Sequence, residues 1–247
     1  MKFGIIVFPG SNCDDDVLHL CSDILGAEVR KIWHKDYVIP SDFSISDCII
    51  LPGGFSYGDY LRCGAMAKVS HIMKAVTQFA SKGGYVFGIC NGFQILCEAG
   101  LLPGALLRNE SQQFMCKNIY VRTVSTQSAL THDIDTSRPL KIPIAHAEGR
   151  YYADSSTIAS LKANDQILFQ YCDSEGHANE LSNPNGSTLN IAGICNEERN
   201  VFGMMPHPER ASESILGNMD GLQLFHSLLN NSERGNLVKN NLDTVMS

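Results

Sequence analysis

The 247-residue chain lacks several features, and each absence removes a class of function. No stretch approaches the ~20 consecutive apolar residues that span a bilayer. The opening segment, residues 1–10, has one lysine and a short apolar run but no cleavage site. It predicts a first β-strand rather than a leader, and hence a cytoplasmic protein. No basic run is present, and 19 Lys and Arg against 26 Asp and Glu give a formal charge of −7. A chain so charged is a poor partner for nucleic acid or an anionic membrane. Nine cysteines, an odd number with no CxxC pair, argue against a disulfide framework and against a metal site. There is no G-x-x-x-x-G-K phosphate loop, so ATP-driven chemistry would need another chain. Repeats, low-complexity segments and convincing linkers are absent too.

What is present is an alternation of strand and helix patterns. Apolar runs at Phe3–Phe8, Cys48–Leu51 and Tyr85–Ile89 predict strands of a parallel sheet, and Val29–Trp33 looks like a further strand. Val17, Leu20, Cys21, Ile24 and Leu25 share one helical face, as do Met66, Val69, Ile72, Met73, Val76 and Phe79. A further helix is expected from Asn91 to about Glu98. The second half adds strand patterns at Ile119–Val124, Ile142–Ala147, Ile167–Cys172, Leu189–Cys195 and Val201–Met205, then a helix carrying Met219, Leu222, Phe225, Leu228 and Leu229. The expected fold is α/β, a doubly wound, mostly parallel sheet with extra strands in the second half. One domain over residues 1–230 and a polar tail over 231–247 complete the division. Ligands of such sheets bind at the carboxyl ends of the strands, which directs attention to the loops after Phe8, Leu51 and Ile89.

Three segments carry chemistry. In Gly88-Ile-Cys90-Asn-Gly92 an apolar strand turns through glycines into a helix, with a thiol at the apex. This is the spacing of a nucleophile elbow with Cys in the place of Ser. A helix N-terminus favours the thiolate, and the N–H of Asn91 points where an oxyanion would form. The competing reading is a buried cysteine between packing glycines. In Met204-Met-Pro-His207-Pro-Glu209 two prolines stiffen a turn that holds a candidate base, His207, and a carboxylate to orient it, Glu209. A surface turn with an incidental histidine is the alternative. In Leu51-Pro-Gly53-Gly54-Phe a strand ends in two glycines, and the N–H of Gly54 is a second oxyanion candidate. A plain tight turn would look the same.

Taken together, the elbow around Cys90, the distant His207-Pro-Glu209 and the Pro-Gly-Gly loop resemble class I, triad-type glutamine amidotransferases, which are flavodoxin-like. Gly53–Arg62, Asn109–Lys117, Ala145–Tyr152 and the opening Phe8–Asp15 resemble, more narrowly, the glutaminase subunits of phosphoribosylformylglycinamidine synthases, from Lys2 to about Leu229. Cys63 and Ala147 depart from that pattern, each standing where the family usually carries another small residue. The resemblance implies a glutaminase in which Cys90 forms a thioester with glutamine, His207 and Glu209 complete the triad, and Gly54 and Asn91 supply the oxyanion amides. It implies glutamine contacts from Gly53, Gln94, Ser111 and Phe114, and no cofactor on this chain. The partner it implies is a large synthetase carrying ATP and magnesium, with a small accessory subunit. The ammonia would convert formylglycinamide ribonucleotide to the amidine in purine synthesis. Other readings remain: a cysteine peptidase or amidase on the same fold, a non-catalytic subunit, or another ammonia acceptor. His146, Glu148 and Arg150 either line the partner interface or pair among themselves. Asp14, Asp15 and Asp16 suit a helix N-terminus, and the other cysteines are expected in the core.

Overall fold

The structure, a computed structural model, describes residues 1–232. The first apolar run forms β1 (Phe3–Val7), buried along nearly its whole length. The helix after it, α1 (Asp14–His19), widens into a π turn over Leu20–Ile24, closed by Leu25 N–H donating to the Leu20 carbonyl. There follow β2 (Val29–Trp33), β3 (Cys48–Leu51), α2 (His71–Ser81), β4 (Tyr85–Ile89) and α3 (Asn91–Glu98). The second half contributes β5 (Ala105–Leu107), β6 (Met115–Thr123), β7 (Leu140–His146), β8 (Arg150–Tyr152), α4 (Ser155–Ala163), β9 (Ile167–Cys172), β10 (Ile191–Cys195), β11 (Val201–Met204) and a last helix, α5, over 222–232.

Nine strands form one sheet in the order β2-β1-β3-β4-β11-β10-β9-β6-β7. From β2 to β11 neighbours run parallel, and from β11 onward they run antiparallel. The parallel strands β1, β3, β4 and β11 are continuous apolar runs because helices cover both faces. In β7, at the far edge, buried and half-buried residues alternate strictly, the pattern of a sheet covered on one face. The core is continuous across both halves, and Phe225 of α5 packs on Phe87 of β4 with ring centroids 5.9 Å apart.

The α/β fold with a largely parallel sheet and added strands is the one expected. Several boundaries differ. The 66–79 apolar pattern is split: Ala67–Val69 is a 3-10 turn and α2 begins at His71. Leu189 and Asn190 lie in a 3-10 turn ahead of β10, and Leu189 has φ 53°. β6 starts four residues before the apolar pattern, because its first half pairs with β7 at its exposed edge. Helix α5 runs through residue 232, into the segment expected to be tail. Asn231 donates to the Tyr85 hydroxyl at 2.9 Å and Ser232 to the Ser46 carbonyl at 3.1 Å. The rest of the expected tail, 233–247, lies outside the described residues. No helix among the described residues is long and apolar enough to cross a membrane.

Candidate active site

Cys90 closes β4 and opens α3. Its backbone sits at φ 51°, ψ −104°, a conformation that costs a residue with a side chain about 1–3 kcal/mol. The flanking glycines make the turn possible. A Cβ on Gly92 would lie 1.9 Å from the Leu51 carbonyl oxygen, and one on Gly88 would lie 2.7 Å from the Gly92 backbone. Bare backbone is what lets α3 start so close to β3. The Cys90 N–H donates to the Met204 carbonyl at 2.8 Å, and the thiol donates to the Ala145 carbonyl at 3.7 Å.

His207 arrives from the neighbouring strand. β4 and β11 pair in register, Ile89 opposite Met204, so the segments leaving their ends meet. Pro206 and Pro208 limit the backbone on either side of the histidine, whose N–H donates to the Pro143 carbonyl at 2.8 Å. Nδ1–H donates to Oε1 of Glu209 at 2.6 Å, between side chains 2% and 0% exposed. A carboxylate only accepts, so Nδ1 carries a proton toward Glu209, and Nε2 is the nitrogen that gains or loses one. Burial alone would lower the His207 pKa. The negative charges of Glu209 and then Cys90 outweigh burial and raise it well above the ordinary value. The structure thus gathers Cys90, His207 and Glu209 into one buried group.

The glycine loop runs directly against this group. A Cβ on Gly53 would lie 2.7 Å from Cε1 of His207, so any side chain there would displace the base. Gly54 sits at φ 135°, and a Cβ on it would lie 2.7 Å from both Asn12 N and the Gly10 carbonyl oxygen. Asn91 begins α3, so its N–H has no helical carbonyl upstream to take it. Its side chain ties the loops together: Oδ1 accepts from Ser56 N–H at 3.1 Å and Nδ2 donates to Gln94 Oε1 at 2.9 Å. Gln94 Nε2 in turn donates to the Glu148 carbonyl at 2.6 Å. Both ends of the Gln94 amide are therefore engaged within the protein, joining the elbow to the 145–149 loop. Ser111 is exposed, and its hydroxyl accepts from Gln113 N–H at 3.4 Å. Phe114 is exposed too, its ring 6.5 Å from that of Phe55, the residue after Gly54. Neither touches the triad.

Among the described residues no ion pair joins His146, Glu148 and Arg150. His146 is buried and faces Asn109 instead. Asn109 Nδ2 donates to the Gln113 and His146 carbonyls, and its Oδ1 accepts from Gly149 N–H and His146 Nδ1, both at 3.1 Å. Burial, and then the charge of His207, push the His146 pKa down to about 4. Asp14 and Asp15 accept from Lys31 at 2.7 and 2.6 Å, and Asp16 accepts from Arg210 at 3.0 Å.

All nine cysteines are free thiols and six are buried. The eight others do not all fill the core as expected: Cys116 is exposed on the first half of β6, Cys63 and Cys97 are half-buried, and Cys13, though buried, stands beside His207. Cys13 Sγ, a His207 nitrogen and a Glu209 oxygen lie within 4.8 Å of one another. Arg210 Nη2 donates to that sulfur at 3.0 Å, so a fixed cation already serves the cluster. Cys13, Arg210 and the structural part of Asn109 were not legible from residue type. The strand-end rule did point to the loop after Phe8, in which Cys13 lies.

Among the described residues, six of the seven buried side-chain polar atoms without a hydrogen-bond partner belong to Ser56, Asp59, His146, Arg150, His207 and Glu209, on the segments around Cys90. Buried polar atoms are seldom left unsatisfied, and a polar substrate would engage such a lining.

Residues 1–227 match the CobB/CobQ-like glutamine amidotransferase domain. The phosphoribosylformylglycinamidine synthase subunit PurQ of Moorella thermoacetica is 54% identical over 95% of this chain and 98% of its own length. PurQ of Salinibacter ruber is 52% identical over 93% and 96%. Among solved structures, that of PurLQS from Thermotoga maritima superposes with a TM-score of 0.80 at 40% identity, covering 93% of this chain and 98% of that one. Likeness this deep, extending over nearly the whole of each chain, is membership rather than a shared fold: the chain belongs to the PurQ family of glutamine amidotransferases.

Proposed function

We propose that this chain hydrolyses glutamine and delivers the ammonia to a synthetase subunit that converts formylglycinamide ribonucleotide to the amidine. The observation that carries the reading is the backbone of Cys90, strained at φ 51° at the start of α3 beside the buried His207–Glu209 pair. Strain of this kind persists where the surrounding structure holds it, and here it presents a thiol to a base. His207 Nε2 takes the thiol proton as Sγ bonds to the side-chain amide carbon of glutamine. The C–N bond breaks, the proton passes from Nε2 to the leaving nitrogen, and ammonia departs. Water then attacks the thioester with His207 again as base, releasing glutamate and restoring the thiol. The N–H groups of Gly54 and Asn91 serve the oxyanion in both halves, each such donor accounting for about 10²–10³ in rate.

Glu209 holds the imidazole in the tautomer the first step requires and offsets the charge it gains. Gly53 leaves room for the ring, while Ser111 and Phe114 border the entrance. This chain needs no cofactor or metal for these steps. ATP and magnesium belong to the synthetase, a small accessory subunit joins the assembly, and the complex is cytoplasmic.

The test is ammonia and glutamate release from glutamine by the purified chain, with and without the synthetase, beside Cys90→Ala. Release that rises with the partner and disappears in the variant is the expected result. Release that persists in Cys90→Ala would remove Cys90 as nucleophile, and none under any condition would remove the glutaminase reading.

A further inference from the structure

The thioester chemistry makes no use of Cys13, yet its sulfur lies within the cluster formed by His207 and Glu209. It enters from the turn between β1 and α1. Its N–H donates to the Gly53 carbonyl at 3.4 Å, and its own carbonyl accepts from Val17 at 3.2 Å. Gly53 has no room for a side chain because His207 Cε1 and the Cys13 sulfur close over it, 2.7 and 3.1 Å from where a Cβ would stand. On its far side the sulfur accepts from Arg210 Nη2 at 3.0 Å, while the thiol hydrogen is directed at Asn12 Oδ1, 3.6 Å away. A guanidinium only donates, so the sulfur is the electron-rich member of that contact. Arg210 is itself anchored, Nε donating to Asp16 Oδ2 at 3.0 Å, and His19 braces the same turn through Glu213 at 3.0 Å.

We propose that Cys13 is a positioning residue for the base: gripped by Arg210 and seated on Gly53, its sulfur keeps the His207 ring in place and offers an electron-rich neighbour to the charge the ring gains from Cys90. The proposal rests on the glutaminase reading above. One residue thereby joins the two halves of the machinery, its backbone on the glycine loop and its side chain against the triad turn. The groups around the ring are Glu209 and Arg210 on its own turn, Cys90 on the elbow, His146 on β7 and Cys13. Burial opposes protonation of His207, whereas Glu209, Cys90 and Cys13 favour it.

Alanine and serine at position 13 separate this role from simple packing, since they differ by one hydroxyl. A packing role favours Cys13→Ala, because a buried hydroxyl is costly without partners. A positioning role favours Cys13→Ser, whose oxygen still accepts from Arg210. The assay is glutamine hydrolysis by the complex with the synthetase, with Cys90→Ala as the zero. In Cys13→Ala, kcat should fall by about 10–100-fold with KM changed by a few-fold at most, the loss expected when a catalytic group is misplaced. The acid limb of the kcat profile, where His207 must give up its proton to serve as base, should move to lower pH. Cys13→Ser should recover most of both. Arg210→Lys, which keeps a cation but loses the planar fork, should fall between them at unchanged Tm, and it decides the matter if Cys13→Ala does not fold. Wild-type kcat and an unmoved acid limb in Cys13→Ala, or Cys13→Ala outperforming Cys13→Ser, would overturn the proposal. Unaltered kcat in Arg210→Lys would do the same. Wild type that released no ammonia would overturn the glutaminase reading and this proposal with it.

Discussion

Two buried histidines near the site are driven in opposite directions. His207 is raised by Glu209 and Cys90 against the pull of burial. His146 has no carboxylate partner among the described residues; it pairs with the neutral amide of Asn109, and burial, then the charge of His207, takes its pKa down to about 4. The sign of its effect on stability follows. Between its ordinary value near 6.5 and about 4, the unfolded chain binds a proton that the native protein refuses. Native stability therefore falls as pH drops through that window, and His146 has no such effect above it. From pH 7.5 to pH 5 the contribution is about 2 kcal/mol. His146→Gln, whose amide can still donate to Asn109, should lose correspondingly less stability over that interval, read as urea midpoints at the two pH values. Equal losses in both proteins would show that other groups govern the acid limb. In the sequence these histidines differed only by neighbours. The Pro-His-Pro-Glu setting made His207 conspicuous, whereas the partner of His146 lies 37 residues away and only the fold joins them.

At the scale of elements, the elbow depends on how closely α3 approaches β3. Gly92→Ala places a methyl 1.9 Å from the Leu51 carbonyl, against backbone that has no rotamer to change. Helix and strand must separate, and Gly53 and Gly54 continue directly from that strand. We expect the variant to be destabilised by about 1–3 kcal/mol and to lose more activity than stability, seen as low glutamine hydrolysis well below its Tm. Full activity with a lowered Tm would mean that the glycine loop does not follow β3. The central parallel strands β1, β3 and β4 were legible because they are uninterrupted apolar runs between turn-forming residues. The antiparallel half was less so. In β6 Cys116, Lys117 and Asn118 are exposed in succession, with no alternation to mark a strand, and the Asn109–Lys117 segment reads as a motif until β7 is seen alongside it. The π turn after α1 escaped for a different reason: Leu20, Cys21 and Ile24 suit an ordinary helical face equally well.

For the whole molecule, one core passes from the parallel to the antiparallel half, with β11 in the middle of the sheet. No seam separates the halves, so they should unfold together. The sole tryptophan, Trp33, sits on the edge strand β2, far across the sheet from β7. Its emission and far-UV circular dichroism should change at the same denaturant concentration. Two separated transitions would divide the chain into independent units. Spacing marked Val201–Met205 as a strand but not its place in the middle of the sheet, because a four-residue strand carries little pattern of its own.

The place of β11 bears on how the protein comes into being. Cys90 and both of its flanking glycines leave the ribosome long before His207 does, yet β4 must hold a place open for a strand made more than a hundred residues later. Until Val201–Met204 slots in beside it, β4 is a bare apolar edge, the kind that adheres to other chains. Its partners are more than a hundred residues apart, so this step closes a long loop and is slow for that reason. The nascent chain is thus exposed to aggregation through the interval between the synthesis of β4 and that of β11. On the glutaminase reading the thiol meets its base only once β11 is in place, so a subunit still lacking that strand cannot squander glutamine.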